Sequence, residues 1–520
     1  MIYQNTILVV NAAPTANIKD EMGPNKTNQL NEPEGKTTSE LDKYNDDSNQ
    51  SFKTKLRHNK EYRINVMVSR IKPIRNRRFS EIHKNGLTRG WKVAQIGPSL
   101  LDLQIIANTT LDKISGIYTS DAIGYLGGTI LGGFLFSKFN SAILLFTSAV
   151  CSAFTIAIIP WCSVFEAMVA IFASIRTIYL GNAEVFRIWK TDNAPIVQAL
   201  HFFYAIGGAF SPTITAPFLM PPSRDHSNNT KDLPCATYNE TNGFSNVSKK
   251  MDNCSFILVN EDKPSHQHKF DNESKLYIAY LITASMYVVS GFFLLFSYFK
   301  IDKDFFQRAQ NKKKDNDLTE HPSFREKLPM LILVASLTIT YVVVQASISE
   351  FLSAFFVEQL NWTKTSASYL TSVFWATFAL GRSVSIFLLK YIKSSHLLGI
   401  TSAILNIGSF GIFISSLYIF TPGLWISVGL CGLSMSPMFP TLFTWTNSEL
   451  IPVNASINSL IFAAGASTAI INPIILGYLM DNVDKMAFCY FIVGGTVSFK
   501  LGMKFKKDIF EAGGNSIPKG

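Results

Sequence analysis

Long apolar stretches with almost no charge alternate along this chain with a few short polar blocks. A membrane-crossing helix needs ~20 mostly apolar residues, because the hydrocarbon core is about 30 Å thick and each helical residue rises about 1.5 Å. Backbone amides in lipid must bond within their own segment, which favours helices over other structures. The pattern predicts eleven spans, at 114–136, 141–160, 163–186, 195–219, 276–299, 328–356, 366–389, 396–420, 424–446, 455–480 and 486–499.

The predicted spans form two clusters separated by the charged, net basic segment 300–327. The N-terminal segment is polar, lacks heptads and is typical of disorder. We therefore predict five parts, namely a disordered arm (1–90), an N-terminal helical bundle (91–299), a cytoplasmic linker (300–327), a C-terminal helical bundle (328–502) and a cytoplasmic tail (503–520).

The composition supports this interpretation. The 520 residues are 47% hydrophobic and only 16% charged, whereas soluble domains average about 25% charged residues. These values exclude a cytosolic enzyme, a nucleic-acid binder and a disulfide scaffold, and predict an integral, multi-pass membrane protein, which we expect in the plasma membrane. The net charge of +10 arises from basic blocks beside the spans, which mark the cytoplasmic side of a membrane protein rather than affinity for nucleic acid.

The loop 220–275 indicates which side of the membrane faces out. It holds Cys235 and Cys254, the two cysteines that lie away from the apolar spans, and we predict that they form a disulfide. An oxidising compartment favours both disulfides and N-glycosylation, so we predict that this loop is extracellular. Its five glycosylation sequons begin at Asn228, Asn239, Asn246, Asn253 and Asn272.

An extracellular 220–275 loop creates a discrepancy at the start of the first bundle. The basic block that ends at Lys92 should lie in the cytoplasm, so one more crossing is required before Leu111. The stretch between them is short, contains Gly97-Pro98 and carries Asp102. Either a poor first span is held by its neighbours, or the chain lacks the first half of a proper helix, and we favour the second interpretation.

The two clusters of spans repeat each other in sequence. The word that runs from Tyr118 to Tyr125 aligns with the word from Trp375 to Arg382, and in each the aromatic residue and the positions three and seven later lie on one helical face. A parallel duplication of six-span bundles, with a substrate site between them at mid-membrane, is typical of secondary transporters. The repeat therefore predicts an all-α membrane protein of two six-helix bundles related by a pseudo-two-fold axis.

Five sequence words from residue 97 to residue 442 give the chain a family resemblance. The words are GPSLLDL (97–103), GYLGG (124–128), NAPIVQALHFFYAIGGAFSP (193–212), FWATFALGR (374–382) and MFPTL (438–442). They resemble the major facilitator superfamily, and within it the sodium-dependent glucose transporter-like branch and its close orphan relatives. The resemblance implies the major facilitator fold, with a degenerate or truncated first span here, and transport of a hexose by alternating access, with sodium as a candidate coupling ion.

The chain departs from the family pattern at positions that bear on sodium. Ser137 replaces the acid of the superfamily signature after the second span. Ile178 and Tyr179 stand where the branch has an Asp-Thr pair before the asparagine that is Asn182 here, and Gln345 stands at an acidic position of the seventh span. These departures weaken the implied sodium coupling.

Polar residues inside predicted spans supply the candidate site. A charged group at the bilayer centre costs at least ~2.5–3.5 kcal/mol, so each one requires a reason. Candidate cation ligands are Asp121 and Glu350. The structural alternative for all candidates is a contact between helices, such as an ion pair of Arg382 with Asp121. The candidate substrate-binding residues are Asn182, Gln198, His201, Gln345, Trp375 and Arg382.

No enzyme motif is present in the sequence. It has no phosphate-binding Walker loop, no HExxH zinc motif and no metal-spaced cluster of Cys and His. We therefore predict a protein that is not an enzyme and that needs no cofactor or metal apart from the candidate sodium ion. Two alternatives to a hexose carrier remain, a carrier of another small organic solute and a non-transporting membrane receptor or scaffold. The oligomeric state stays open.

Overall fold

Twelve long helices dominate the computed structural model, which describes residues 86–139, 141–178, 194–220, 274–299, 324–389, 391–451 and 455–512. No β-strand occurs in these ranges. The helices of the first half are α1 (86–106), α2 (Gly116–Lys138), α3 (Ser141–Ile158), α4 (Phe165–Ile178), α5 (Ala194–Thr215) and α6 (Leu276–Phe299). Those of the second half are α7 (Phe324–Leu360), α8 (Lys364–Leu388), α9 (Ser394–Leu417), α10 (Thr421–Trp445), α11 (Ala455–Asn482) and α12 (Ala487–Ala512).

Each of the eleven predicted spans corresponds to one of the helices α2–α12. Some boundaries differ from the prediction. Helix α7 begins at Phe324, inside the predicted linker, and α12 continues to Ala512, past the predicted boundary at 502. Within the described part of the chain, six helices are long and apolar enough to cross a membrane by length and composition, namely α3, α6, α7, α9, α10 and α11.

Helix α1 supplies the missing crossing. It contains 21 residues and begins at residue 86, before the predicted bundle boundary at 91, and this length suffices for a hydrocarbon core of about 30 Å. Its polar side chains bond to neighbouring helices. Trp91 donates its indole N–H to Thr283 of α6 (3.0 Å), and the Thr283 hydroxyl donates to Gln95 Oε1 (2.7 Å). The helix is therefore a polar first span held by its neighbours, and the favoured interpretation of a helix without its first half is wrong.

The internal repeat is visible in the packing of equivalent glycines. Gly124 of α2 lies so close to α4 that a Cβ atom there would overlap the Ala173 carbonyl. Gly381 of α8 stands in the same relation to the Leu433 carbonyl of α10. The two halves then join through two equivalent helix pairs, α2 with α11 and α5 with α8. This arrangement agrees with the predicted architecture of two six-helix bundles related by a pseudo-two-fold axis.

Close packing also fixes α1 against α5. A Cβ on Gly207 would overlap the Leu87 carbonyl, and a Cβ on Gly90 would overlap the Tyr204 carbonyl. Gly207 therefore has a packing role. Among the described residues Gly127 has none, because no atom outside its own helix lies within 4 Å of the position of its Cβ.

Candidate substrate site between the two halves

A cavity of about 70 Å³ lies where the two halves meet. Helices α1, α2 and α5 line it from the first half, and α7 and α11 from the second. Its wall combines aliphatic side chains with hydrogen-bonding groups, the mixture that is typical of small-molecule sites. The polar lining residues are Tyr118, Asp121, Tyr125, Tyr204, Gln345, Ser349 and Glu350.

Helix α7 contributes a polar seam to the cavity. Gln345 and Ser349 are four residues apart, so they share one face of the helix, and Glu350 follows at its edge. The first half packs directly on this seam. The Tyr118 hydroxyl donates to the Glu350 carbonyl (2.9 Å), and a Cβ on Gly97 would lie 3.0 Å from the Ser349 carbonyl. The seam therefore lies at the contact between the halves, where a rocking motion would change its surroundings.

An ion pair connects α1 and α2 beside the cavity. Lys92 Nζ lies 2.6 Å from Asp121 Oδ1, and both residues are at least nine-tenths buried. The guanidinium of Arg89, one turn earlier, lies 5.5 Å from the Tyr125 ring centroid. The sequence-based assignment of Lys92 to the cytoplasmic flank is wrong, because the residue lies within a helix of the bundle. Lys92 is three residues after Arg89 and four before Ile96, so all three lie on one face of α1. This spacing is the sequence signal that could have placed Lys92 in the helix.

Trp375 lies behind the cavity wall and is not among the residues that line it. Its ring packs on α5, where a Cβ added to Gly208 would come within 2.8 Å of the indole. The Trp375 and Tyr204 ring centroids are 5.8 Å apart, and Tyr204 does line the cavity. Within the described ranges the indole Nε1 has no hydrogen-bond partner. His201 is fully buried in α5 and is also absent from the cavity lining.

Arg382 is buried in α8 with 1% of its surface exposed, and it does not line this cavity. Its guanidinium lies 5.7 Å from the Phe378 ring centroid. Its Nε and Nη1 atoms have no hydrogen-bond partner among the described residues. The proposed pairing of Arg382 with Asp121 is not found, since Asp121 pairs with Lys92.

Several sequence predictions concern residues outside the part of the chain that the structure describes. They are residues 1–85 of the predicted disordered arm (1–90), Asn182, the side chain of Gln198, the cysteines Cys235 and Cys254, and the sequons at Asn228, Asn239, Asn246, Asn253 and Asn272. Among the described residues, no three His, Cys, Asp or Glu side chains are grouped closely enough to hold a metal ion.

The halves also meet at the end of the bundle from which segment 220–275 leaves, here called the loop end. Asp102 of α1 accepts a hydrogen bond from Lys364 Nζ of α8 (2.6 Å) and another from the Met220 backbone N–H (2.8 Å). Ser368 of α8 donates to the Pro212 carbonyl of α5 (2.7 Å). The sequence pattern makes Asp102 a weak point of the first span. In the structure it forms an ion pair with a residue of the second half.

A further contact at the loop end involves the short helix Leu111–Ile114 that precedes α2. The Asp112 backbone N–H donates to Asp481 Oδ2 of α11 (3.1 Å). A hydrogen bond from the Thr110 hydroxyl holds the pKa of Asp112 below its usual value. Polar contacts at this end thus connect α11 to the short helix before α2, and α8 to α1 and α5.

The chain resembles curated proteins from several vertebrates, some named sodium-dependent glucose transporter 1 and others major facilitator superfamily domain-containing protein 4A. Sodium-dependent glucose transporter 1 of Homo sapiens is 26% identical over 425 residues, which cover 79% of this chain and 75% of that protein. The Danio rerio protein of the same name is 24% identical over 79% of this chain, but the matched part spans only 65% of its length. Major facilitator superfamily domain-containing protein 4A of Mus musculus is 25% identical over 74% of this chain and 83% of that protein. No family model matches the chain.

Solved structures agree on the fold. The nucleoside transporter NupG superimposes with a TM-score of 0.56 at 12% identity, covering 84% of this chain and 99% of that one. The xylose transporter XylE from E. coli, in a partially occluded inward open conformation, gives a TM-score of 0.52 at 13% identity over 83% and 96% of the two chains. The resemblance to the glucose transporter-like branch of the major facilitator superfamily is confirmed, and the protein is an integral, multi-pass membrane protein.

Proposed function

We propose that this protein is a secondary carrier of the plasma membrane that moves a hexose by alternating access. The observation that carries the proposal is the polar cavity at the junction of the halves. Helices from both halves line it, so a rocking motion of one bundle against the other would expose it to one side of the membrane at a time. Transport, and not catalysis, is the function that such a site supports.

The chemistry of the cavity suits a neutral, hydroxyl-rich solute. Gln345 offers both an amide donor and a carbonyl acceptor, which matches a hydroxyl group that donates and accepts at once. Tyr118 and Tyr204 add aromatic surface with a polar edge, which suits a ring that has apolar faces and polar rims. Two carboxylates, Asp121 and Glu350, line the same space and disfavour an anionic solute. Relatives named for glucose and a structural neighbour named for xylose support a sugar.

The predicted site residues take different roles in this proposal. Gln345 contacts the sugar directly. Trp375 holds Tyr204 in place from behind, because its ring packs between that side chain and Gly208. Arg382 biases the rocking equilibrium from within the second half. His201, Gln198 and Asn182 remain candidate ligands on the side of the first half. Sodium is the candidate coupling ion, as the names of the relatives suggest, and Glu350 is its candidate ligand in the cavity, because Asp121 is already paired with Lys92.

Uptake of labelled glucose by cells that display the protein at their surface tests this proposal. The wild-type protein should transport glucose, and Gln345→Ala should raise KM about 5-fold to 150-fold, since one or two hydrogen bonds of ~1–1.5 kcal/mol each are lost. Ser285→Ala is the matched control, because Ser285 is exposed on α6 and bonds only to its own helix. Absence of uptake from displayed wild-type protein, or an unchanged KM in Gln345→Ala, contradicts the proposal. Stronger competition by another neutral solute than by glucose would reassign the substrate.

A further inference from the structure

Helix α1 brings a lysine into contact with the one carboxylate that α2 contributes to the cavity lining. Lys92 is 4% exposed and Asp121 9% exposed, and the Nζ to Oδ1 distance is 2.6 Å. A carboxylate buried at this depth requires a cation beside it, because an unpaired buried charge costs several kcal/mol. In this chain the required cation is covalently attached to the neighbouring helix.

The position of the ammonium is fixed by packing. The close approach of α1 and α5 at Gly90 and Gly207 holds the two helices together. The Phe172 ring of α4 lies 5.4 Å from Lys92 Nζ. The ammonium therefore lies close to both an aromatic ring and the Asp121 carboxylate.

We propose that the Lys92 ammonium is a tethered cation that occupies the position at Asp121 which a mobile sodium ion would otherwise take. A sodium ion needs oxygen ligands, and the contacted Asp121 oxygen is already bonded to Nζ. A sodium ion and the ammonium at the same carboxylate oxygen would also repel each other at close range. Transport through this cavity then draws no energy from sodium through Asp121. Only this last consequence rests on the proposed hexose transport, because cation occupancy can be measured without a substrate.

Binding of radioactive sodium to the purified full-length protein tests the inference directly. The wild-type protein should bind no sodium that depends on Asp121. Lys92→Met, which keeps the length and the apolar stem of the side chain, should bind about one sodium ion per protein. That binding should be lost in the double variant Lys92→Met/Asp121→Asn and should not appear in Lys92→Arg.

Lys485→Met is the matched control. Its Nζ lies 2.7 Å from Glu358 Oε2, but both side chains of that pair are more than a third exposed, so water replaces the lost cation. This variant should bind no sodium. A sodium-dependent rise in Tm, of roughly 2 °C at saturation, should accompany binding in Lys92→Met alone, because a ligand that binds only the folded state stabilises it.

Two results would overturn the inference. One is sodium binding by the wild-type protein that disappears in Asp121→Asn, since sodium would then share Asp121 with Lys92. The other is a folded Lys92→Met protein without sodium binding. If Lys92→Met does not fold, the wild-type and Asp121→Asn measurements still decide the question. Failure of glucose uptake alone would refute the proposed substrate and leave these binding results unaffected.

Discussion

The contact between Asp102 and Lys364 should act as a latch that holds the two halves together at the loop end. Asp102 belongs to α1 and is fully buried, whereas Lys364 is the first residue of α8 in the other half. Lys364→Met removes the cation and leaves the Asp102 carboxylate with the Met220 N–H. The perturbation therefore affects a contact that exists only while this end is closed.

The magnitude follows from the burial of the pair. Removal of one partner from a buried ion pair costs about 3–5 kcal/mol, because the remaining charge stays desolvated. The Met220 N–H retains part of the stabilisation, so we expect a penalty of about 3 kcal/mol for the closed state. Water solvates Asp102 when the loop end opens, so the loss of Lys364 does not destabilise the open state. The ratio of closed to open molecules should fall roughly a hundredfold.

Accessibility of a thiol at position 368 measures this shift. Ser368 is fully buried against α5 in the closed arrangement, so a Ser368→Cys variant should react with a membrane-impermeant thiol reagent only when the loop end opens. Addition of Lys364→Met should accelerate the reaction at least tenfold. Lys485→Met, which breaks an ion pair within the second half, should leave the rate unchanged. An unchanged rate in Lys364→Met would refute the latch.

Two further predictions concern helix packing and the cavity wall. Gly381→Ala should lower Tm in a thermal unfolding assay by several degrees, because the new Cβ would overlap the backbone carbonyl of Leu433. Gly127→Ala is the control and should leave Tm unchanged, because its Cβ would face open space. Trp375→Leu should raise KM for the transported solute several-fold without loss of surface display, because Tyr204 loses its ring contact. Uptake kinetics check the second prediction, and equal KM values would contradict it.

Hydropathy predicted α2–α12 because the bilayer itself fixes the length and apolar character of a crossing helix. Hydropathy did not identify α1, and the reason lies in the tertiary structure. A hydropathy pattern counts Lys92 as a penalty, whereas the cost of burying it is offset by Asp121, 29 positions later on another helix. The same reasoning applies to Asp102, whose partner Lys364 lies in the other half of the chain. Charges that are paired over long sequence distances are therefore invisible to a local pattern.

The candidate site was predicted in part. The α7 seam of Gln345, Ser349 and Glu350 stands out in sequence because polar residues at helical spacing interrupt an apolar span, and all three line the cavity. Tyr204 gave no such signal, since an aromatic residue in an apolar span is ordinary. The distinction between Trp375 behind the wall and Tyr204 within it depends on how α5 and α8 pack, which sequence spacing does not specify.

Counterflow in proteoliposomes tests the central claim, that the cavity between the halves carries a hexose by alternating access. Vesicles with the purified protein would be loaded with excess unlabelled glucose and diluted into a trace of labelled glucose without a sodium gradient. We expect labelled glucose inside the vesicles to rise transiently above its external concentration. Each exit of unlabelled glucose leaves the binding site facing outward, where it can bind labelled glucose and carry it in. Slow equilibration without an overshoot, or no difference from protein-free vesicles, would contradict it.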